Sequence, residues 1–240
     1  MSDDELRAVL AARLDAVRHR IAGACARAGR DPAGVTLVAV TKTVSPRVAG
    51  LLPGLGVNDF GESRPQELAR KHAAIPAGRF HLIGHLQRNK LDKTIPLTHL
   101  THSADSLRLL EALDAFGRKT GVPVPLLLEV NCSREEAKGG IAVEDVAAVA
   151  ARCRDLPGVE VRGLMTMAAY TGDDAQVRAT FAELVSLRDG LRESTGLSLP
   201  ELSMGMSNDF EAGVELGATY VRVGSTLFAG LEDLPASGGP

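Results

Sequence analysis

Eight short apolar segments alternate along this chain with stretches of helical periodicity, and this alternation limits the fold more than any other feature. The strand candidates are residues 36–41, 57–61, 79–84, 97–102, 124–131, 159–166, 201–206 and 219–224. Helical patterns lie between them, near residues 46–53, 63–73, 87–94, 105–120, 143–154, 173–194 and 208–216. Strands that alternate with helices in this way pair in parallel.

Eight such units in about 210 residues favour a closed (β/α)8 barrel near the small end of its size range. An open doubly wound sheet is the alternative, because periodicity alone does not determine whether a sheet closes. No linker rich in Pro and Gly divides the chain, so we predict one domain over residues 1–230. The tail at 231–240 contains "PASGGP", and we expect it to be disordered.

An additional helix is predicted ahead of the barrel, over residues 3–29. Its apolar positions recur at helical spacing, and acidic residues at the start and Gly29 at the end match helix boundary preferences. We expect its apolar stripe to cover the outside of the barrel.

Composition excludes several classes of function. A formal net charge of −3 and only 3% aromatic residues argue against nucleic-acid binding. Apolar runs fall well short of the roughly 18 residues that span a bilayer, and the acidic start lacks the order of a signal peptide. The three cysteines are widely spaced and read as reduced thiols, so we expect a cytoplasmic protein. We also expect a monomer.

Polar residues at the strand ends point to the mouth of the barrel. Strand side chains alternate, so Val38, Val40 and Lys42 share one face, and Lys42 would form the top layer of the interior. By the same alternation we predict three further inward faces: Asn58 with Phe60 and Glu62, His81 with Ile83 and His85, and Tyr220 with Arg222. A purely structural core would not need so many inward polar groups.

Two late stretches are suited to an anion. In "SMGMSND" (203–209), Ser207 precedes a predicted helix, and in "VRVGSTLFAG" (221–230), Gly224 and Ser225 follow a strand. Free N–H groups at helix starts bind phosphate, and loops after strands 7 and 8 of barrels commonly do so. Serine and glycine before a helix are usually mere caps, but two such stretches at these strands favour a phosphate site.

Lys42 has two interpretations. A lysine at a strand end is commonly a surface charge whose stem lies on the apolar layer. A desolvated amine near other cations instead loses its proton readily and can form a Schiff base. An inward lysine together with a phosphate cradle and an inward arginine would suit an aldehyde that carries a phosphate.

The chain resembles the single-domain pyridoxal 5′-phosphate (PLP) homeostasis proteins, whose barrel is similar to the N-terminal domain of alanine racemase. The resemblance covers about residues 35–230. It depends on seven ordered motifs: "AVTKT" (39–43), "NDFGESRPQE" (58–67), "FHLIGHLQRNK" (80–90), "NCSREEAKGG" (131–140), "GLMTM" (163–167), "LSMGMSNDFEAG" (202–213) and "VRVGSTLFAG" (221–230).

The resemblance implies a set of PLP-binding residues. Lys42 would carry the cofactor as a Schiff base, Ser207, Gly224 and Ser225 would hold its phosphate, and Arg222 would face the pyridine nitrogen. Asn58 and Met204 are expected to line the same pocket. A guanidinium is never a proton acceptor in practice, so the ring nitrogen would stay neutral and would support carbanion chemistry only weakly.

The sequence departs from the family pattern at two positions. Ser63 stands where the family usually has Asn, which puts any contact of that amide in doubt. Pro65 is uncommon there, but the first turn of a helix tolerates proline. The charged stretch around Glu135 and Lys138 is interpreted as a solvated turn, although the resemblance gives both residues some interest.

The resemblance implies a carrier or buffer of PLP, with apo forms of PLP-dependent enzymes as candidate partners and no catalytic residue assigned. The alternative is an amino-acid racemase, which needs a second acid–base group opposite Lys42. In alanine racemases a tyrosine from a second domain supplies it. This chain is not expected to contain that domain, and its tyrosines, Tyr170 and Tyr220, lie in or beside the barrel.

Two other enzyme classes are weaker alternatives. A class I aldolase would also combine a barrel, a lysine and a phosphate site, but it usually has its lysine on a late strand, and "GLMTM" has none. A metal site would need several histidines to converge. His99 and His102 differ by three on a predicted strand, so we expect them to face opposite ways, and no metal site is predicted.

Overall fold

The computed structural model describes residues 1–135, 139–169 and 173–233 of the chain. Within them, eight parallel strands form a closed barrel in sequential order, and the last strand pairs with the first. The strands are β1 (Thr36–Val40), β2 (Asp59–Glu62), β3 (Arg79–Leu82), β4 (Leu100–Ala104), β5 (Val124–Glu129), β6 (Val159–Met165), β7 (Glu201–Met206) and β8 (Tyr220–Val223). The predicted (β/α)8 barrel is therefore confirmed, and the open sheet is wrong.

The helices surround this barrel. They are α1 (Asp3–Arg27), α2 (Pro46–Ala49), α3 (Pro65–Ala74), α4 (Leu91–Thr94), α5 (Leu107–Thr120), α6 (Val146–Cys153), α7 (Asp174–Thr195), α8 (Phe210–Glu215) and α9 (Ser225–Phe228). The predicted helices near 46–53 and 87–94 are shorter than expected. Each is continued by 3₁₀ turns, such as Pro53–Leu55, in which proline occupies the first turn.

Helix α1 is the additional helix that the sequence predicts. Ser2 and Glu5 form a reciprocal capping box at its start, with Ser2 N–H donating to Glu5 at 2.7 Å. Its apolar face is buried, and Arg20 makes a bidentate ion pair with Glu211 of α8. Arg13 donates to the carbonyl of Leu227 in α9 at 2.8 Å. The helix thus covers the outside of the barrel where the last units meet the first.

The hydrophobic core has two layers. The larger one lies between the barrel and the helices, and the smaller one fills the barrel itself. The interior cluster consists of Val38, Leu100, Leu127, Met165 and Tyr220. The inward orientation predicted for Val38 and Tyr220 is therefore confirmed.

The predicted face of β2 is wrong. A Cβ on Gly61 would lie 3.1 Å from Val38 and 3.2 Å from Ile83, so Gly61 points into the barrel. Phe60 instead packs outward, with its ring stacked at 5.1 Å on that of Phe80, and Glu62 contacts Lys71 of α3. The inward residues of β2 are the Asp59 carboxylate and Gly61, so the inward set lies one residue away from the predicted one.

The beginning of the predicted tail is fixed to the barrel. Leu231 is buried, and the Asp233 carboxylate accepts hydrogen bonds from the N–H and the hydroxyl of Ser45 at 2.5 and 2.6 Å. Residues 234–240 lie outside the described part of the chain. None of the helices in the described ranges combines the length and the hydropathy that a bilayer crossing requires.

Candidate functional site

A cavity of about 440 Å³ opens at the carboxyl end of the barrel strands. Its walls come from the ends of β1, β2, β3, β6, β7 and β8 and the loops that follow them. The lining residues are Val40, Lys42, Ser63, Ile83, Met167, Ala168, Ala169, Val177, Met206, Ser207, Asn208, Asp209, Arg222, Gly224 and Ser225. This volume lies within the range of about 300–1,000 Å³ that small-molecule sites occupy.

The structure brings five of the predicted binding residues to this cavity: Lys42, Ser207, Arg222, Gly224 and Ser225. Lys42 is more than 160 residues away in sequence from the other four, which lie between residues 207 and 225. All five lie at or beyond the carboxyl ends of β1, β7 and β8, except Arg222, which is within β8. Lys42 lies two residues beyond the end of β1, and its side chain is exposed. Of the two interpretations of Lys42, the one that relied on desolvation of the amine is therefore not supported by its exposure.

Asn58 and Met204 do not line the cavity, and their predicted position is corrected. Asn58 precedes β2, so it lies at the amino end of the barrel, where it is exposed. Met204 is fully buried in the outer core layer, and its backbone packs against Gly213 of α8. Its neighbour Ser203 points into the barrel, so strand alternation directs Met204 outward.

A buried ion pair supports the backbone next to Lys42. Lys71 of α3 has no solvent exposure, and its ammonium group donates to the Thr41 carbonyl at 2.6 Å and to the Glu62 carboxylate at 2.5 Å. The Thr41 hydroxyl donates to the same carboxylate at 2.6 Å. Burial raises the pKa of Glu62, and Lys71 opposes that rise. These contacts fix the turn from which Lys42 projects.

Arg222 forms the floor of the cavity. Its guanidinium is buried and donates to the Ser203 hydroxyl and, at 3.0 Å, to the Thr166 carbonyl. Burial lowers the pKa of Arg222 to about 10, against the opposing influence of the Glu129 and Asp209 carboxylates. The guanidinium is therefore still charged at neutral pH.

The loops after β7 and β8 form a small cradle around the Ser207 hydroxyl. Its oxygen accepts hydrogen bonds from the N–H groups of Gly224 at 3.2 Å and Thr226 at 3.3 Å. The Thr226 hydroxyl donates to the Ser207 carbonyl at 3.4 Å. Two backbone donors thus converge on one acceptor at the edge of the cavity, where the sequence predicts a phosphate site.

Three histidines converge deeper in the barrel. The ring of His81 lies 5.0 Å from that of His102 and 5.5 Å from that of His99. The expectation that His99 and His102 face apart did not anticipate this convergence, because His99 precedes β4 and strand alternation does not govern it. His85 lies at the mouth, paired with Asp105 at 2.6 Å. No group of three or more His, Cys, Asp or Glu side chains in the described ranges has the geometry to hold a metal ion.

The two departures from the family pattern have simple positions. Pro65 is the first residue of α3, so it interrupts no helical hydrogen bond, as predicted. Ser63 lines the cavity, so the residue type there does bear on the site.

Lys138 and Tyr170 lie outside the described residues. Sequence reasoning missed Ser63, Met206 and Asp209 as lining residues, although their positions at strand ends were a usable signal.

Comparisons with known proteins agree with this geometry. The family described as the alanine racemase N-terminal domain matches residues 12–232. A pyridoxal phosphate homeostasis protein of Aquifex aeolicus is 39% identical, over 90% of this chain and 96% of its own.

Two solved structures have the same fold with appreciable sequence identity. A protein of unknown function from Bifidobacterium adolescentis superposes with a TM-score of 0.89 at 35% identity, covering 95% of this chain and 98% of its own. PipY of Synechococcus elongatus, solved with PLP bound, superposes with a TM-score of 0.81 at 32% identity, covering 92% of this chain and 100% of its own. From the family match and the extent of these similarities, we conclude that the chain belongs to the pyridoxal phosphate homeostasis proteins, within the alanine racemase N-terminal domain family.

Proposed function

We propose that this protein binds PLP in the cavity at the barrel mouth and acts as a carrier or buffer of the cofactor. One observation carries the proposal: an amine, a buried guanidinium and a pair of converging backbone donors line the same cavity of about 440 Å³. PLP has one group for each of these, namely an aldehyde, a pyridine nitrogen and a phosphate. The relative with PLP bound supports the same choice.

The donor set suits the phosphate. The N–H groups of Gly224 and Thr226 already converge on an oxygen, that of Ser207. A phosphate oxygen is a stronger acceptor of the same kind, and Ser207 and Ser225 add hydroxyl donors beside it. A Cβ on Gly224 would lie 3.3 Å from that of Val40, so glycine allows this loop to pack closely against β1.

Lys42 would hold the aldehyde. As a neutral amine it could condense with the aldehyde of PLP, the carbonyl oxygen leaving as water with the two protons of the amine and the nitrogen remaining bonded to the aldehyde carbon. Because the side chain is exposed at the mouth, water can enter and reverse this bond. Reversible attachment is what a carrier requires.

The presence of Arg222 in the cavity favours a carrier role over a catalytic one. Bound PLP supplies an electron sink, and that sink is strongest when the ring nitrogen is protonated. Arg222 can only donate hydrogen bonds, so it would leave the nitrogen neutral. From the sequence, His81, His85 and Tyr220 are the conceivable second bases of a racemase, and none of the three lines the cavity. His81 bonds to Asp59 and Tyr220 to Glu201 inside the barrel, and His85 is paired with Asp105.

Borohydride trapping tests the binding chemistry. Purified protein incubated with PLP should turn yellow, and borohydride should bleach it and add the reduced cofactor to the peptide that contains Lys42. The Lys42→Ala variant should gain no mass, whereas Lys119→Ala, at an exposed helical lysine, should behave as the unmodified protein. Mass on another peptide, or none, would contradict the proposal.

A transfer assay then separates a carrier from an enzyme. Loaded protein should activate an apo PLP-dependent enzyme at least as fast as free PLP does, and it should not racemise alanine above the rate of the Lys42→Ala variant. Racemisation would favour the alternative, an amino-acid racemase.

We further propose that the protein is a monomer, which light scattering can test. We also propose a cytoplasmic location, since Cys25, Cys132 and Cys153 are free thiols that a reducing compartment maintains.

A further inference from the structure

A column of polar side chains runs down the inside of the barrel from Arg222 to Asp59. The Arg222 guanidinium contacts the Ser203 hydroxyl, whose oxygen lies 2.8 Å from His102 Nδ1. His102 Nε2 lies 2.9 Å from His81 Nδ1, and His81 Nε2 lies 3.0 Å from the Asp59 carboxylate. All five side chains are buried.

The chemistry of the lower end fixes the direction of these hydrogen bonds. Burial alone would raise the pKa of Asp59, but hydrogen bonds from His81 and Arg79 lower it to about 2. An ionised carboxylate can only accept, so His81 Nε2 carries a proton. Burial lowers the pKa of His81, so this ring is neutral and its Nδ1 is an acceptor.

The same reasoning continues upward. His81 Nδ1 accepts from His102 Nε2–H, and burial lowers the pKa of His102 well below its usual range, so His102 Nδ1 is also an acceptor. The Ser203 hydroxyl therefore donates its proton to His102 and presents a lone pair to Arg222. A guanidinium can only donate, so the upper end requires the same direction as the lower end.

The surrounding charges favour neutral rings. Burial is the largest cause of the lowered pKa of His81; the Asp59 carboxylate opposes it, and the nearby Arg79 and Arg162 add to it. Burial is also the largest cause for His102, and the Arg222 guanidinium adds to it. Asp59 is the acceptor at the end of the column. None of the described ion pairs involves Arg222 itself. The column therefore connects its guanidinium to the Asp59 carboxylate through hydrogen bonds.

We propose that Ser203, His102, His81 and Asp59 are positioning residues that hold Arg222 toward the cavity through a one-directional chain of hydrogen bonds. Asp59 at one end and Arg222 at the other require the same tautomer of both rings, so that Ser203 donates to His102 and accepts from Arg222. With Ser203 and Thr166 each accepting one bond, the remaining N–H groups of Arg222 are left for the ligand. The consequence for PLP rests on the proposed function, whereas the chain of bonds does not.

The tautomers test the chain without any cofactor. In apo protein labelled with ¹⁵N-histidine, NMR at pH 7 should show His81 and His102, assigned by single substitutions, as neutral rings protonated at Nε2. The Asp59→Asn variant keeps an acceptor oxygen, and Asp59→Leu leaves the Arg222 end of the chain in place, so both variants should preserve the tautomers. Asp59→Leu combined with Ser203→Ala removes the groups that fix the direction at both ends, and in this double variant the tautomers should be lost. A ring protonated at Nδ1, or at both nitrogens, in the unmodified protein would overturn the chain.

Cofactor binding tests the positioning role. Ser203→Ala should weaken PLP binding about tenfold, the scale of one hydrogen bond to a charged group, while borohydride still fixes the cofactor on Lys42. Thr101→Val is the matched control, because the Thr101 hydroxyl is buried in the neighbouring barrel wall with no hydrogen-bond partner among the described residues. Equal affinity of Ser203→Ala and the control would overturn the role. If the unmodified protein takes up no PLP, the proposed function and this part of the inference fail together, and the tautomers decide the chain alone.

Discussion

The ammonium group of Lys71 donates a hydrogen bond to the carbonyl oxygen of Thr41 at 2.6 Å, directly before the lysine that is proposed to hold PLP. Lys71 is also paired with Glu62, and neither side chain is exposed. A buried charge that loses its partner destabilises a protein more than the pair stabilised it.

Substitution of Lys71 should therefore be costly, and a second substitution should compensate. Lys71→Met should lower the free energy of unfolding by about 3–5 kcal/mol, because Glu62 is left buried without its partner. Lys71→Met with Glu62→Leu should recover most of that loss. Urea denaturation of the single and double variants measures both. A single variant as stable as Lys119→Met, at an exposed position, would contradict the expectation.

Ser207→Ala should affect only ligands that carry a phosphate. We expect PLP to bind about tenfold more weakly, since a charged hydrogen bond is lost. Pyridoxal, which lacks the phosphate, should bind with unchanged affinity. Fluorescence titration with both compounds measures the difference, and Ser186→Ala on the exposed face of α7 is the control. A similar loss for both ligands would show that Ser207 acts on the cavity as a whole.

Glu129 should make the protein less stable at neutral pH and above than in mild acid. Burial, with a contribution from Asp105, raises the pKa of Glu129 to about 7, against Arg222 and His85. A carboxyl whose pKa is higher in the folded state is favoured there when protonated, so stability falls as the pH rises from about 4.5 to 7. Glu129→Gln should thus gain up to about 3 kcal/mol relative to the unmodified protein at pH 8 but little at pH 4.5. Denaturation at both pH values checks this, and parallel pH profiles would contradict it.

Asp59 should contribute stability that acid removes. Its pKa falls from 3.8 to about 2 on folding, so its contribution is complete above pH 4 and is lost as the pH decreases toward 2. We expect the loss to be about 2 kcal/mol, and we expect Asp59→Asn to have a flatter acid limb. Unfolding measured between pH 5 and pH 2 gives the comparison. An unchanged acid limb in the variant would mean that other carboxylates account for it.

The barrel and most of its mouth could be predicted from the sequence because the pattern is local. Apolar runs of strand length identify all eight strands, and alternation from Val38 correctly directs Lys42 to the mouth. The stretches around Ser207 and Gly224 favoured a phosphate site before any resemblance was considered, and the family resemblance added the expectation that Arg222 faces the pyridine nitrogen. A helix of four residues such as α9 has no period to detect, so it was missed.

The failures have a common physical cause. The prediction that Phe60 and Glu62 face inward was wrong by one residue, because strand alternation does not say which of its two sets of side chains faces the interior. The inward set of β2 begins at Asp59, which bonds to His81 inside the barrel. Asn58 was assigned to the pocket without regard to the end of the strand at which it lies. The convergence of His99 on His81 depends on how the chain enters β4, which no sequence period encodes.

Several contacts of α1 can form only late in translation, because their partners lie near the end of the barrel sequence. Within the helix, Arg20 binds Glu211 and Arg13 binds the Leu227 carbonyl. Arg30, just beyond its end, binds the Ala218 carbonyl. The ribosome makes α1 about 200 residues before those partners, an interval on the order of 10 s at ordinary elongation rates. Throughout that interval α1 can reach its contacts near Arg47 and Leu55 but not those with α8 and α9, so the seam between β8 and β1 closes only after the last units have been made.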